Sequence, residues 1–378
     1  MAGLYLHVPY CRKACHYCDF HFSTQLNTLP QMVEKLQVEA KLRSEEPHPK
    51  QTWYWGGGSP SVLPFAMAQE ICDSFSNNFP LISGGEFTLE ANPEDLSHEA
   101  LNGWKTLGVN RLSVGIQSFV DRRLQWMNRS HSGQDARDGI RRAQDAGIAS
   151  ISVDLIYGLP DTSLGEWQDN VGEALALGVP HLSTYALTVE ERTALHQHIR
   201  RGLSQAPKED RAIEDFLWLR SQLREEGWEP YELSNASLPG YRSRHNSAYW
   251  SGASYVGLGP GAHSFDGTSV RRWNVSNNGQ YLRQVGTSQS WFEEEQLRPE
   301  ELVNEQIMTQ LRRMEGLLRT SVGAYASTLD NLWSTYIAQG LMIQTANAWV
   351  LSDEGLFLSD RIAMEGFVAA GGLGTLEA

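Results

Sequence analysis

Short apolar runs and longer amphipathic segments alternate along the first half of the chain. The runs are rich in β-branched and aromatic side chains and predict buried strands at residues 4–8, 52–55, 86–90, 111–115, 151–155 and 181–185. Between them, apolar positions recur with a helical period at residues 29–43, 64–75, 99–107, 133–146 and 164–177. This alternation predicts an α/β fold in which a parallel sheet forms a partial (β/α)6 barrel of the TIM type.

The pattern changes after about residue 295. Residues 299–313 and 322–339 predict helices, and short apolar runs follow at 341–343, 349–351 and 356–358, with a Ser-Asp-Glu-Gly turn predicted to join the last two as a hairpin. Helices followed by a ribbon predict a smaller α+β, winged-helix-like unit. We therefore divide the chain into a barrel at 1-235, a connecting segment at 236-298 and a C-terminal domain at 299-378.

Composition and charge narrow the classes of function. The 378 residues exceed what one hydrophobic core usually supports. Lysine and arginine number 31 against 45 acidic residues, a net charge of −14 that argues against a nucleic-acid partner. Four cysteines, no secretory signal pattern and no apolar run near 18 residues indicate a cytoplasmic protein. Peripheral attachment to a membrane stays open, although no basic amphipathic helix indicates it.

Three of the four cysteines form one short motif, Cys11-Arg-Lys-Ala-Cys15-His-Tyr-Cys18. Three thiolates on one loop can bind three corners of a 4Fe-4S cubane and leave the fourth iron without a protein ligand. The alternatives are buried thiols or part of a zinc site, but zinc sites favour two separated cysteine pairs and no second pair follows. The spacing therefore favours the cluster, and Cys72, within a predicted helix, is interpreted as a core residue.

Other chemically distinctive residues follow the remaining strands. A run of three glycines and a serine, Gly56-Gly57-Gly58-Ser59, follows the second strand, where glycine lets the backbone approach a ligand closely. The residues that follow a barrel's strands form its active face. Polar residues stand at or after the later strands: Glu90, Gln117, Arg129 and Asp154. Each of them alone could equally be a solvated loop residue, but together they indicate a site.

These motifs resemble those of a known family. The cysteine motif, the glycine run and the segments 90–93, 110–119 and 154–160 are similar, in order, to radical S-adenosylmethionine proteins of the oxygen-independent coproporphyrinogen oxidase group. The resemblance extends from residue 4 to about residue 319. Three later segments, 231–235, 244–250 and 259–264, are similar to those of the heme chaperones within that group.

The resemblance implies a set of cofactor ligands. In the family, S-adenosylmethionine chelates the open iron of the cluster, which supplies the electron that cleaves its carbon–sulfur bond. The implied cluster ligands are Cys11, Cys15 and Cys18. The implied contacts to S-adenosylmethionine are Tyr5, Gly57 and Glu90. The oxidase binds a second S-adenosylmethionine, and the matching positions here are Gly58, Ser59, Gln117, Arg129 and Asp154; whether this chain fills that site stays open.

One departure from the oxidase pattern concerns position 20. The oxidases carry a further cysteine there, whereas this chain has Phe20, as the heme chaperones do. Phenylalanine cannot ligate iron, but its ring can pack beside the cluster and restrict solvent. The replacement is compatible with the cluster and S-adenosylmethionine and argues against porphyrinogen oxidation.

The resemblance to heme chaperones also implies a heme site. Imidazole is the commonest axial ligand of heme, and the resemblance assigns this role to His245, with Tyr249 and Trp250 available to pack on the macrocycle. The alternatives are that His245 is a loop residue fixed by Asn246, or that His263 is the ligand.

Three functions follow as hypotheses. The first is a heme chaperone that binds heme and delivers it to hemoproteins such as respiratory enzymes, including acceptors at the membrane, with a homodimer left open. The second is a radical oxidoreductase that acts on a porphyrinogen. The third, a scaffold without cofactor chemistry, is disfavoured because a scaffold needs neither three clustered thiolates nor a glycine loop.

Overall fold

The computed structural model describes residues 3–44 and 49–369, so residues 370–378 of the C-terminal segment lie outside the described part. The strands of the main sheet are Gly3–Val8 (β1), Lys50–Gly57 (β2), Leu81–Ala91 (β3), Arg111–Gln117 (β4), Ser150–Tyr157 (β5), His181–Ala186 (β6), Asn235–Ser237 (β7), Tyr255–Leu258 (β8), His263–Phe265 (β9), Val270–Asn274 (β10) and Phe292–Gln296 (β11). All six strands predicted for the barrel are confirmed, each extended by one to several residues.

The helices of this part of the chain follow the predicted spacing. They are Leu29–Leu42 (α1), Phe65–Asn78 (α2), His98–Thr106 (α3), Asp121–Trp126 (α4), Gly133–Asp145 (α5), Leu164–Ala176 (α6), Ala194–Arg200 (α7), Glu209–Glu225 (α8), Arg244–Trp250 (α9) and Asn278–Gln284 (α10). Several begin with a side-chain cap, such as Ser132 on α5, whose hydroxyl accepts from the N–H of Asp135. The five predicted barrel helices are confirmed as α1, α2, α3, α5 and α6.

The main sheet has the order β11-β10-β9-β8-β1-β2-β3-β4-β5-β6-β7. Strands β1 to β6 run parallel to one another in sequence order, which confirms the partial (β/α)6 arrangement. Strand β8 adds to β1 in parallel, and β9, β10 and β11 extend the sheet antiparallel. Residues 255–296 therefore continue the barrel sheet on the β1 side, and β7 spans the predicted boundary at residue 235. The division of the chain into three parts stays a prediction.

The two faces of the parallel strands differ in polarity. Trp53 and Trp55 alternate with Thr52 and Tyr54 along β2, and the same alternation holds in the neighbouring strands because successive side chains point to opposite faces. The apolar set packs against the helices, as the 6.1 Å between the ring centroids of Trp55 and Phe75 shows. The side chains on the other face, such as Thr52 and Tyr54, line the barrel interior. They are polar, so the interior offers hydrogen-bonding groups to a ligand.

The C-terminal part contains six helices and a small sheet. Its elements are Pro299–Gln310 (α11), Leu317–Leu318 (β12), Arg319–Val322 (α12), Ala326–Leu332 (α13), Ser334–Ala338 (α14), Met342–Gln344 (β13), Ala348–Leu351 (β14), Asp353–Phe357 (α15) and Ser359–Glu365 (α16). The sheet has the order β12-β14-β13 and is antiparallel. Helices that precede a small ribbon agree with the predicted α+β unit.

Two local predictions in this part were wrong. The hairpin joining residues 349–351 to 356–358 is absent, because the Ser352 hydroxyl accepts from the N–H of Gly355 and caps helix α15 there instead. Strand β14 pairs with β13, which precedes it. The single helix over 322–339 is broken into α13 and α14 after the turn at Gly323, whose φ is 52°.

Two ion pairs, one of them made by a buried arginine, join the C-terminal part to the barrel. Arg220 on α8 is 4% exposed and donates from Nε to Asp353 at 2.6 Å, and Arg224, one turn later, donates to the same carboxylate. The N–H of Met314 also donates to the carbonyl of Tyr231 at 3.0 Å. Within the described residues, no helix combines the length and the hydropathy that a transmembrane span requires.

Candidate cofactor site

The cysteine motif lies on a loop that follows β1 and is held by several elements. The N–H of Cys11 donates to the carbonyl of Ser23 at 3.0 Å. Arg12 forms an ion pair with Asp95 at 3.0 Å. On the other side, Asn128 donates from Nδ2 to the carbonyl of Ala14 at 2.7 Å. The loop is therefore fixed between the segments that follow β3 and β4.

The environment of the thiols suits iron ligation. The Ser59 hydroxyl lies 3.6 Å from Sγ of Cys11, and Nη1 of Arg129 lies 3.3 Å from Sγ of Cys15. Burial raises the pKa of Cys11 to about 11 and that of Cys18 to about 12, and the charge of Cys15 adds to both shifts. Buried thiols at mutually interacting distances need a positive partner to become thiolates, and iron supplies that charge.

The three thiols do not converge on a single point. In residues 3–44 and 49–369, no three histidine, cysteine or carboxylate side chains are arranged around one metal ion. A cubane does not require such convergence, because each of its cysteines ligates a different iron. The donor set is thus compatible with a cubane bound by three cysteines, and their assignment as ligands stays a prediction.

The Phe20 ring does not pack over the cysteine loop to exclude solvent, although its apolar character would allow this. Its side chain is 68% exposed. Its backbone N–H instead faces Cys18 and forms a hydrogen bond that opposes the rise in the pKa of that thiol. Position 20 therefore contributes through its backbone, and its apolar ring lies at the surface beside the cluster loop.

The glycine run packs directly against the cysteine loop. The N–H of Gly58 donates to the carbonyl of Val8 at 2.9 Å, and that of Ser59 donates to the carbonyl of Tyr10 at 2.7 Å. A Cβ atom on Gly58 would lie 2.6 Å from the Tyr10 carbonyl oxygen. Gly57 has a φ of 102°, and a Cβ there would meet the His7 ring at 2.5 Å. Glycine is needed here for packing as well as for access by a ligand.

Glu90 lies below the glycine run, inside the barrel. Its Oε1 accepts from the Tyr54 hydroxyl at 2.6 Å, and its Oε2 accepts from the N–H of Gly57 at 3.1 Å. Burial raises its pKa to about 7, and the nearby charge of Asp154 adds to the shift while the two hydrogen bonds oppose it. A buried carboxylate in this state gains from a cationic or hydroxyl partner such as the one S-adenosylmethionine offers.

Arg129 connects the cluster loop to the next strands. Its Nη2 donates to Oδ1 of Asn92 at 2.7 Å and to the carbonyl of Gly115 at 2.5 Å. Its buried Nε atom has no hydrogen-bond partner within the described residues. Gln117, beside it, has a φ of 71° at a bulge between β4 and β5, which is uncommon for a residue other than glycine. Strained backbone and an orphaned donor are typical of ligand-binding sites.

Asp154 lies on the same inner face of the sheet. Its Oδ1 accepts from the Ser113 hydroxyl at 3.1 Å, and burial raises its pKa to about 6 while Ser113 and Ser183 oppose the shift. Burial also raises the pKa of Tyr185, although 46% of its surface is exposed. Tyr185 therefore has surface that a ligand in the barrel interior could contact.

Tyr5 also lies in this interior. Its hydroxyl is 3.2 Å from Nδ1 of His7, whose Nε2 contacts the carbonyl of His21 at 2.8 Å. Burial lowers the pKa of His7 to about 4, so this imidazole is neutral and supports the cysteine loop from beneath. The structure therefore groups Tyr5, the glycine run and the polar residues of β3 to β5 with the three cysteines.

His245 lies at the edge of this group, with 6.5 Å between the centroids of its ring and the Tyr5 ring. It stands at the start of α9, where Glu86 accepts from its backbone N–H at 2.9 Å, and its Nδ1 is 2.8 Å from the Thr52 hydroxyl. Thr52 is four residues before Gly56 on β2, so the partner of the His245 ring lies about 13 Å along the strand from the start of the glycine run. The alternative of a loop histidine fixed by Asn246 was wrong, because Thr52 and the helix fix it.

The aromatic residues of α9 do not stack on His245. Tyr249 is 48% exposed and packs edge-on against Trp250, with 5.3 Å between centroids. His263, the second candidate for a heme ligand, lies on β9 and stacks on Trp273 with 6.3 Å between centroids. Neither histidine contacts the cysteine loop.

Sequence reasoning missed two residues of the site. Tyr54 lay within a predicted strand and was given no role, although its hydroxyl donates to Glu90. Asn92 accepts from Arg129 and donates from Nδ2 to the Ser59 hydroxyl at 3.0 Å, linking two of the implied ligands. The position of Asn92 directly after a strand was the signal that could have identified it.

Comparison with known proteins places this arrangement in a class. The family model of the Radical SAM superfamily matches residues 5–173, the part of the barrel that carries the cysteine loop. In its fold, the chain is similar to coproporphyrinogen III oxidase HemN of Escherichia coli, a radical SAM enzyme, with a TM-score of 0.84 and 20% identity over 97% of this chain and 90% of that one. The fold is thus that of a radical SAM barrel with a C-terminal domain.

The similarity to individual sequences is more specific. The chain is 30% identical to the heme chaperone HemW of Bacillus subtilis, over 96% of this chain and 98% of that protein. It is 33% identical to HemW of Mycobacterium tuberculosis strain H37Rv, over 95% and 93% of the two chains. The chain therefore belongs to the HemW family of radical SAM proteins.

Proposed function

We propose that this protein is a heme chaperone that binds heme and delivers it to hemoproteins such as respiratory enzymes. The observation that carries the proposal is the match to heme chaperones over nearly the whole chain. The loop agrees with it, because Phe20 stands where the oxidases have a further cysteine and its ring is 68% exposed.

His245 has the chemistry of a heme ligand. Burial lowers its pKa to about 4, so its imidazole is neutral at physiological pH, the state that binds a metal. The Thr52 hydroxyl occupies Nδ1, and within the described residues no hydrogen bond reaches Nε2. A metal-ligating histidine is typically held in this way, with one ring nitrogen fixed by a polar partner and the other available.

The residues at the barrel mouth suit a cluster and S-adenosylmethionine. When bound, a reduced 4Fe-4S cluster supplies the electron for cleavage of S-adenosylmethionine. Cys11, Cys15 and Cys18 would hold the cluster, with Arg129 aligned on the second thiol. Glu90 would orient the polar groups of the cofactor, and the glycine run, whose glycines have no side chains, would let the cofactor approach the backbone closely. Gly58, Ser59, Gln117, Arg129 and Asp154 would line the site of a second molecule, as the resemblance implies.

The setting of this activity is part of the proposal. We infer a cytoplasmic protein, with acceptor hemoproteins that include membrane-attached ones reached by peripheral contact. The net charge of −14 favours partners other than nucleic acid. A homodimer is compatible with the exposed apolar side chains of the C-terminal part, among them Ile343 at 58% and Met364 at 67%.

A radical SAM oxidoreductase acting on a porphyrinogen is the second candidate. It is favoured by the assembly of Glu90, Arg129 and Asp154 around the cysteine loop and by the fold shared with coproporphyrinogen III oxidase. A heme-binding role leaves these groups available, so the two candidates differ in substrate rather than in cofactor.

Heme titration distinguishes the ligand hypotheses. Heme is added to the wild-type chain, His245→Ala and His263→Ala, and the Soret band is followed. We expect saturable binding by the wild type and by His263→Ala, with affinity reduced at least tenfold in His245→Ala, as loss of an axial ligand predicts. Unchanged affinity in His245→Ala would refute that ligand, and no saturable binding by the wild type would contradict the chaperone proposal. Thermal unfolding of each variant controls for folding.

A further inference from the structure

One residue contacts both sites at once. The Tyr54 hydroxyl donates to Glu90 at 2.6 Å, and the Tyr54 ring lies 4.9 Å from the His245 ring, centroid to centroid, at 30° between planes. The same phenol therefore joins a carboxylate of the S-adenosylmethionine site to the imidazole proposed to bind heme. This contact spans much of the distance along β2 between the two sites.

The surroundings of Tyr54 are fixed on both sides. At one end, Glu90 also accepts from the N–H of Gly57. At the other, both oxygens of the Glu86 carboxylate accept from the first N–H groups of α9, those of Arg244 and His245. A carboxylate at a helix N-terminus stabilises it and holds α9 against the barrel. The backbone of His245 is therefore fixed, so a change in the mobility of the Tyr54 ring affects the His245 ring alone.

The Tyr54 hydroxyl stays protonated throughout the physiological pH range. Burial, with the charge of Glu90 adding to it, raises the pKa of Tyr54 well above its ordinary value. The phenol therefore remains a hydrogen-bond donor at physiological pH, and Glu90 remains its acceptor. Only the strength of this hydrogen bond changes with what binds at Glu90.

We propose that Tyr54 couples S-adenosylmethionine binding at Glu90 to heme binding at His245. The inference rests on the proposed function, because it takes His245 as the heme ligand. S-adenosylmethionine carries a sulfonium and an ammonium, and a cation beside Glu90 favours the ionised carboxylate. An ionised acceptor binds the Tyr54 hydroxyl more strongly. The held phenol restricts the His245 ring, so less conformational freedom is lost when iron binds.

Coupling of this kind is reciprocal and measurable. The experiment uses the anaerobically reconstituted protein with its cluster oxidised, so that S-adenosylmethionine is not consumed. Heme affinity is measured with and without saturating S-adenosylmethionine, and S-adenosylmethionine affinity with and without heme. We expect each ligand to strengthen the other by the same factor, about fivefold or more.

The decisive variant is Tyr54→Phe, which keeps the ring on His245 and removes only the hydroxyl. We expect Tyr54→Phe still to bind each ligand, with an altered S-adenosylmethionine affinity because Glu90 loses a donor. The coupling factor, which is the ratio of affinities with and without the other ligand, should fall to about one. Tyr185→Phe removes another hydroxyl of the barrel interior, which has no hydrogen bond to Glu90, and should keep the wild-type factor. Loss of the factor in Tyr54→Phe alone supports the proposal.

Three results would overturn the inference. They are a wild-type factor of one with heme binding intact, an unchanged factor in Tyr54→Phe, and equal loss in Tyr185→Phe. If Tyr54→Phe unfolds, Glu90→Gln, which keeps an acceptor without the charge, must lower the factor, and an unchanged factor there also contradicts the proposal. Absence of saturable heme binding by the wild type is a different result, because it refutes the proposed function itself.

Discussion

Arg129 donates from Nη1 to Sγ of Cys15 at 3.3 Å, while its Nη2 holds Asn92 and the carbonyl of Gly115. One guanidinium thus aligns the Cys15 thiol with the strands that carry the other polar groups of the site. Lysine has the same charge but lacks the planar fork, so it cannot make these contacts together.

We therefore expect Arg129→Lys to weaken S-adenosylmethionine binding about tenfold, the loss of roughly one charged hydrogen bond. Its iron content should remain near that of the wild type because the thiols are unchanged. Arg122→Lys, at an arginine with a 68% exposed side chain, serves as the control and should bind normally. Equilibrium dialysis measures both, and wild-type affinity in Arg129→Lys would contradict the role of the guanidinium.

The cluster assignment predicts different outcomes for two cysteine variants. Cys15→Ser should lose most of its iron and acid-labile sulfide after reconstitution, because a cubane held by three thiolates loses one of its ligands. Cys72→Ser should keep the wild-type content, since Cys72 is a core residue of α2, 6% exposed. Full iron and sulfide content in Cys15→Ser would overturn the ligand assignment.

The raised pKa of Glu90 leads to a prediction of how the free energy of unfolding depends on pH. Its pKa is raised to about 7 by burial, so the folded state binds a proton that the unfolded state has already released between about pH 4.5 and 7. The corresponding stability is fully present below about pH 4.5 and is lost as the pH rises through 7. Glu90→Gln should remove this part of the dependence, as measured by urea unfolding between pH 5 and pH 8.

The raised pKa of Glu90 also leads to a prediction of how S-adenosylmethionine affinity depends on pH. A cationic ligand requires the ionised carboxylate, so S-adenosylmethionine affinity should rise as the pH passes through about 7. Glu90→Gln should bind weakly with a flatter profile. A wild-type profile that is flat between pH 6 and pH 8 would show that Glu90 does not bind the cofactor through its charge.

Gly57 and Gly108 form a matched pair for testing the glycine loop. Their φ angles are 102° and 95°, but a Cβ on Gly57 would meet His7 at 2.5 Å whereas one on Gly108 has nothing within 4 Å. Gly108→Ala should cost about 1 to 2 kcal/mol of unfolding free energy from backbone strain alone. Gly57→Ala should cost about 1 to 3 kcal/mol more through the clash. Equal losses in urea unfolding would show that the contact with His7 is unimportant.

The ion pair between Arg220 of the barrel and Asp353 of the C-terminal part can be tested by comparing it with an exposed ion pair. Asp353→Ala leaves Arg220, with a side chain only 5% exposed, without its carboxylate and should destabilise the protein by about 3 kcal/mol. Asp360→Ala removes a carboxylate that is 73% exposed and should cost less than about 1 kcal/mol. Thermal unfolding of the two variants compares them, and similar shifts would contradict the importance of burial.

The barrel was predictable from sequence because its strands combine β-branched side chains with a period of two. Trp53 and Trp55 indeed form the buried face of β2, and the residues after each strand indicated the active face. The glycine run and the cysteine motif could be placed together for the same reason, since the carboxyl ends of parallel strands share one edge.

Other features depend on contacts that are distant in sequence. The position of His245 at the opposite end of the barrel depends on Thr52 and Glu86, which precede it by more than 150 residues. The role of Tyr54 was missed because an aromatic residue in a strand is usually core. The false hairpin near residue 356 arose because an apolar run of three residues has no period, and the cap at Ser352 decided in favour of a helix.

According to the proposed function, this chain carries heme and does not make its precursor. The most direct measurement gives the reconstituted protein, under anaerobic reducing conditions with S-adenosylmethionine, both heme and coproporphyrinogen III, and then quantifies bound heme and porphyrin products. We predict about one heme per chain and no decarboxylation of coproporphyrinogen. Rapid decarboxylation without stoichiometric heme binding would contradict the account.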